Sequence, residues 1–158
     1  MPFGPIRRDL VNGEPVALPD GRVVQPEDVL GDEVPGIKLA FIGDAGRVDD
    51  LIDHVAGVDL LAIEATYVEA ERDTASDFGH LTAKQAAWLA REARVKYLVL
   101  HHISRRYSGK QIQEEAATIF PETFVARDFD LFRLVKQKAL EREDVRGRAE
   151  ADHTPAAG

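Results

Sequence analysis

The sequence predicts an α/β domain built on a mainly parallel sheet. Three observations carry that reading: apolar runs of strand length recur, most are followed by residues at helical spacing, and the runs are apolar on both faces. The first strand is Ile37-Lys38-Leu39-Ala40-Phe41-Ile42, and Val48, Leu51, Ile52 and Val55 after it predict a helix. The unit repeats with a strand at Leu60-Leu61-Ala62-Ile63 and a helix opened by Thr82-Ala83-Lys84-Gln85, whose Thr and Gln fit a capping box. A third unit has the strand Tyr97-Leu98-Val99-Leu100, then a Ser108-capped helix carrying Ile112, Ala116, Ile119 and Phe120, with Pro121 past its end. Thr123-Phe124-Val125-Ala126 is a fourth strand. Beyond Asp130, Leu131-Phe132-Arg133-Leu134-Val135 reads equally as another strand or the start of a helix.

Flanking segments differ in composition. Residues 1–36 are rich in Pro, Gly and acidic groups, and turn signals at Asn12-Gly13, Pro19-Asp20-Gly21 and Pro35-Gly36 separate short apolar runs, which predicts a β-hairpin or extended arm. Residues 37–136 form the domain, and 137–158, charged and then rich in Ala, Gly and Pro, are expected to be a disordered tail. Strands apolar on both faces need cover on both. Helices on one side and a further sheet from outside this chain satisfy that need; a small doubly wound domain with helices on both sides satisfies it too.

Composition narrows the chemistry. With 158 residues and 44% hydrophobic content, one core is expected. A net charge of −8 is the wrong sign for indiscriminate coating of nucleic acid, so any RNA contact must be local. There is no cysteine, which excludes disulfides, thiolate metal sites and cysteine nucleophiles and leaves His and carboxylate as ligands. No apolar run approaches the roughly 18 residues of a membrane span, and the N-terminus lacks signal-peptide features, so a cytoplasmic protein is expected.

Groups able to do chemistry follow the strands: Asp44 after the first, Glu64 ending the second, His101-His102 ending the third. Carboxyl ends of parallel strands are where loops converge on ligands. His80 precedes the Thr82 cap, where the positive end of a helix disfavours the charged imidazole. Each residue also has a structural reading. Asp44 in Gly43-Asp44-Ala45-Gly46 suits a turn, Glu64 a buried bond to a backbone donor, and only one of His101 and His102 can face a given site. His54 and His153 are incidental in pattern, and Arg105, Arg106 and Lys110 suit either a phosphate or plain solvation.

These residues also carry a family resemblance. Lys38-Leu39-Ala40-Phe41-Ile42-Gly43-Asp44-Ala45-Gly46 resembles the Gly-Asp-Thr segment of ribonuclease Z, the endonuclease that trims the 3′ trailer from precursor tRNA. Glu64-Ala65-Thr66-Tyr67 resembles its Glu-Ala-Thr segment, Gly79-His80-Leu81-Thr82-Ala83 the His motif that follows, and His102-Ile103-Ser104-Arg105-Arg106-Tyr107 its last His motif. Gly4-Pro5-Ile6 resembles the Gly-Pro element of the family's tRNA-gripping arm. Order and spacing agree over about residues 4–130.

The resemblance implies the C-terminal half of a metallo-β-lactamase αββα sandwich. It implies Asp44 as a carboxylate bridging two zinc ions, His102 as a ligand to one of them, Glu64 orienting His80, His80 as general acid, Arg106 on the scissile phosphate, and Gly4 and Pro5 in the substrate arm. The family's His-x-His-x-Asp-His motif does not occur in these 158 residues, so the implied zinc site is incomplete. The chain is then expected to be inactive or weakly active without an N-terminal half that supplies ligands. A non-catalytic module, dimeric through its bare sheet face, and a hydrolase of small phosphodiesters or esters are the alternatives.

Overall fold

The computed structural model describes residues 6–32, 34–136 and 138–145. The described residues form two compact units that divide between Pro35 and Gly36.

In the first unit, helix α1 (Ile6–Val11) precedes strands β1 (Val16–Ala17) and β2 (Val23–Val24). The strands pair antiparallel, Val16 opposite Val24 and Ala17 opposite Val23. Their turn closes through Gly21 N–H to Leu18 C=O at 3.0 Å. Gly21 sits at φ 83°, a conformation glycine adopts without steric cost. Gly4 and Pro5, the expected arm residues, lie outside the described residues.

The second unit holds a four-stranded parallel sheet: β3 (Leu39–Ile42), β4 (Leu60–Glu64), β5 (Tyr97–His101) and β6 (Thr123–Val125), in that order. Helix α2 (Arg72–Asp77) and α3 (Ala83–Glu92) connect β4 to β5, and α4 (Gly109–Ala117) connects β5 to β6. Thr82 caps α3 as expected, accepting from Gln85 N–H while the Gln85 side chain accepts from Thr82 N–H. Ser108 caps α4 in the same way, accepting from Gln111 N–H.

The helix expected over Val48–Val55 is absent. The segment is instead a run of turns, with Leu51 N–H to Val48 C=O at 3.0 Å and His54 N–H to Leu51 C=O at 3.1 Å. Asp49, Asp50 and Asp53 interrupt the apolar positions, and Asp disfavours helix interiors because its side chain competes for backbone groups. Val48 and Val55 still reach the core, so the apolar spacing was real although the helix was not.

Helices α3 and α4 pack on one face, where Ala86, Leu89, Ala90, Ile112 and Ala116 meet Leu61, Ile63, Leu98 and Leu100. The other face is covered in part by the chain after β6. Strand β7 (Asp130–Arg133) pairs antiparallel with β8 (Glu141–Asp144), and Phe132, Leu134 and Leu140 pack on Tyr97, Val99 and Phe124. Helices α3 and α4 therefore share one face and the β7–β8 hairpin takes the other, which removes the doubly wound alternative. At the far edge of the open face, Leu39 and Phe41 are 66% and 77% exposed.

Strand β8 lies inside the segment expected as a disordered tail. Its all-charged sequence hides it, since it is held by partners in β7 rather than by its own apolar residues. Chief among these is Asp130, whose side chain is 2% exposed and ion-paired to Arg142. Burial pushes the Asp130 carboxyl upward, but the bonds from Arg142 and from Arg127 N–H outweigh it and leave its pKa below the ordinary value. A lowered carboxylate pKa contributes stability at neutral pH that is lost as pH falls through the folded value. Acid titration followed by amide NMR should loosen β7–β8 below about pH 4, and Asp130→Asn should abolish that step. An unchanged acid transition in the variant would refute the assignment.

Candidate functional site

Parallel pairing places the carboxyl ends of β3, β4 and β5 side by side, with Glu64 opposite His101. Asp44 lies just beyond β3. His102 follows β5 at φ 54°, a left-handed conformation uncommon outside glycine, which turns the chain out of the strand at this rim.

Glu64 is the anchor. It is fully buried, and its Oε1 accepts from Ala45 N–H at 2.7 Å while Oε2 accepts from Thr66 Oγ1 at 2.6 Å. Both oxygens also face His80 Nδ1, at 3.2 and 3.1 Å. A carboxylate only accepts, so Nδ1 carries the proton and Nε2 is left available. The bond to a backbone donor and the bond to His80 are thus realised together.

Thr66 extends the network. Its hydroxyl proton goes to Glu64, so at 2.8 Å from His102 Nδ1 it accepts the ring N–H. That leaves His102 Nε2 as a free lone pair, 3.7 Å from Asp44 Oδ1. Asp44, His80 and His102 each offer one ligand atom, and these atoms lie within 4.8 Å of one another. The His80 and His102 rings are 5.2 Å apart. Thr66 was not singled out from sequence, yet its position two residues after Glu64 was a usable signal, since i and i+2 share a side in extended chain.

His101 lies apart from this group. Its ring stacks on Phe41 at 4.9 Å and its Nε2 lies 3.0 Å from Ile42 C=O. Arg106 is ion-paired with Glu71 and lies 5.4 Å from the Tyr67 ring centroid, while Tyr67 neighbours His80 at 6.1 Å between rings. Arg106 is thus one aromatic ring removed from the cluster. The Tyr107 phenol beneath it is held above its ordinary pKa, by burial first and by Glu71 second.

A family model described as a β-lactamase superfamily domain matches residues 13–103, more than half of the chain. The chain belongs to the β-lactamase superfamily. It is 53% identical over 130 residues to a ribonuclease Z of a Bradyrhizobium species, covering 82% of this chain and 43% of that relative. A ribonuclease Z of Limosilactobacillus reuteri is 39% identical over 141 residues, covering 87% of this chain and 46% of the relative. Among solved structures, the metallo-β-lactamase fold protein YhfI from Bacillus subtilis matches with a TM-score of 0.50 at 26% identity, covering 53% of this chain and 35% of that one. The chain spans less than half the length of the curated relatives it matches. Its parallel sheet with helices on one face is the metallo-β-lactamase α/β arrangement expected from sequence.

In this superfamily member Thr66→Val removes the donor to Glu64 and the acceptor for His102. The expected cost is about 1–2 kcal/mol in stability. Ring ¹⁵N shifts should show His102 changing from one tautomer to a mixture. A single unchanged tautomer would refute the role of Thr66.

Proposed function

We propose that this chain is part of a ribonuclease Z-type phosphodiesterase that cuts the 3′ trailer from precursor tRNA, supplying its acid–base pair and part of its metal site. The observation that carries the reading is the buried Glu64 carboxylate turned onto His80, beside the converging donors of Asp44 and His102. Carboxylate and imidazole nitrogen are a donor set that suits zinc, which takes about four ligands. Asp44 would hold zinc through its carboxylate and His102 through its free Nε2. Two such ligands fall short of a tight site, and an N-terminal portion bearing His-x-His-x-Asp-His would supply the rest. Bound there, zinc would activate water at neutral pH and offset charge on the phosphate.

The protein's own part is proton transfer. His80 keeps Nδ1–H on Glu64 and presents Nε2 to the departing 3′ oxygen, and Glu64 fixes the ring and stabilises its protonated form. Arg106 would exchange Glu71 for the scissile phosphate, a charge-assisted bond of the same kind. Gly4 and Pro5 would belong to the arm that grips tRNA, and a cytoplasmic location follows from that substrate. Among the described residues no helix is long and apolar enough to cross a membrane.

Metal analysis of the purified chain, alone and co-expressed with an N-terminal portion bearing His-x-His-x-Asp-His, tests the reading. Stoichiometric zinc is expected only in the pair. Within the pair, His80→Ala should keep zinc and slow precursor-tRNA cleavage by about 10²–10⁴-fold. Loss of zinc in that variant would make His80 a ligand instead, a second reading favoured by its place within the donor cluster. A non-catalytic module that dimerises is favoured by one observation, the exposed Leu39 and Phe41. Absence of cleavage by a fully metallated pair would support it.

A further inference from the structure

We infer that a groove on the flank of α3 holds one nucleotide of the RNA strand next to the cut, its base on Trp88 and its phosphates on Arg47, Arg72 and Lys84; this rests on the ribonuclease reading. The cavity measures about 340 Å³, within the range of small-ligand pockets. Trp88 is half-buried, packs against the helical core and lines the groove beside Ile119. An aromatic ring fixed in this way is the platform on which single-stranded bases stack regardless of sequence.

Charge points to the same ligand. The chain carries a net −8, yet three cations and one carboxylate, Asp49, line this groove. Arg47 and Arg72 pair with Asp50 and Glu69, but their side chains are 77% and 54% exposed and are free to swing onto a stronger anion. Lys84 has no ion pair among the described residues.

Position supplies the third argument. The groove begins at Gly46, two residues after Asp44. A Cβ on Gly46 would lie 3.4 Å from the Cα of Gly79, the residue before His80. The groove therefore adjoins the rim where the phosphodiester would be cut, and a strand leaving that rim along α3 meets cations and a ring together. An acidic peptide would use the cations but has no need of the ring.

Trp88 is the only tryptophan in the chain, so its fluorescence reports this groove alone. The full chain is titrated with short oligouridylate, with polyglutamate as the anionic control, while a labelled copy of the RNA is followed by anisotropy. Saturable quenching by the RNA and not by polyglutamate is expected. Trp88→Leu should weaken the labelled RNA about tenfold. Lys84→Gln should reduce the log–log salt slope by about 0.7. Lys84 is only partly buried and its amide replacement keeps the side-chain stem, so this variant keeps the test decisive should Trp88→Leu fail to fold. Binding of oligouridylate or precursor tRNA without quenching would overturn the groove and leave the ribonuclease reading standing. Quenching without precursor-tRNA binding would keep the groove and remove that reading. Equal quenching by polyglutamate would overturn base recognition.

Discussion

Glu64→Ala should destabilise the chain by about 2–4 kcal/mol, because the Ala45 N–H and His80 Nδ1–H each lose a charged acceptor inside the fold. Thr66 softens the loss, since its hydroxyl can turn to His102 C=O, 2.9 Å away. For a chain of this size the expected fall in melting temperature is roughly 10 °C. Glu64→Gln keeps the volume and one acceptor oxygen but turns an NH₂ toward a donor, so it should lie between Ala and the native chain. Circular dichroism melts check the order. A Glu64→Ala melt within about 2 °C of native would mean that the carboxylate holds nothing in place, and the proposed acid–base pair would lose its foundation.

Much of this arrangement is legible in the sequence. The four parallel strands announce themselves because a strand buried on both sides reads as an uninterrupted apolar run, and the caps at Thr82 and Ser108 mark where helices begin. The shared rim of Asp44, Glu64, His80 and His102 follows once those strands are aligned. What sequence could not give has identifiable causes. The turns over 48–55 keep apolar spacing without helical backbone. Strand β8 is charged throughout and depends on Asp130 and Phe132 across the hairpin. Helix α1 lies between proline- and glycine-containing stretches that read as loop. The engagement of Arg106 with Glu71, 35 residues away, is a tertiary fact that no local pattern encodes.

Leu39→Thr combined with Phe41→Thr should leave the melting temperature of the isolated chain nearly unchanged while sharply weakening whatever associates through β3. Exposed positions on folded chains typically shift stability by less than about 0.5 kcal/mol, and Thr retains strand propensity. A contact that buries both side chains forfeits about 1.5–3 kcal/mol for each, a combined loss of at least a hundredfold in affinity. Strand β3 sits at one end of the sheet, so it offers unpaired backbone groups beside these side chains. Light scattering measures self-association of the chain, and capture of the co-expressed N-terminal portion measures the other partner. Unaltered association in both assays would show that this edge is not an interface.

Neighbours in the main sheet are also neighbours along the chain, from β3 through β6. Each strand can therefore dock on its predecessor as it leaves the ribosome, and loop closure stays short at every step. The first strand of this sheet is left at its edge, still able to accept a further strand after β6 has been laid down. Growth in one direction thus reserves a berth at the other.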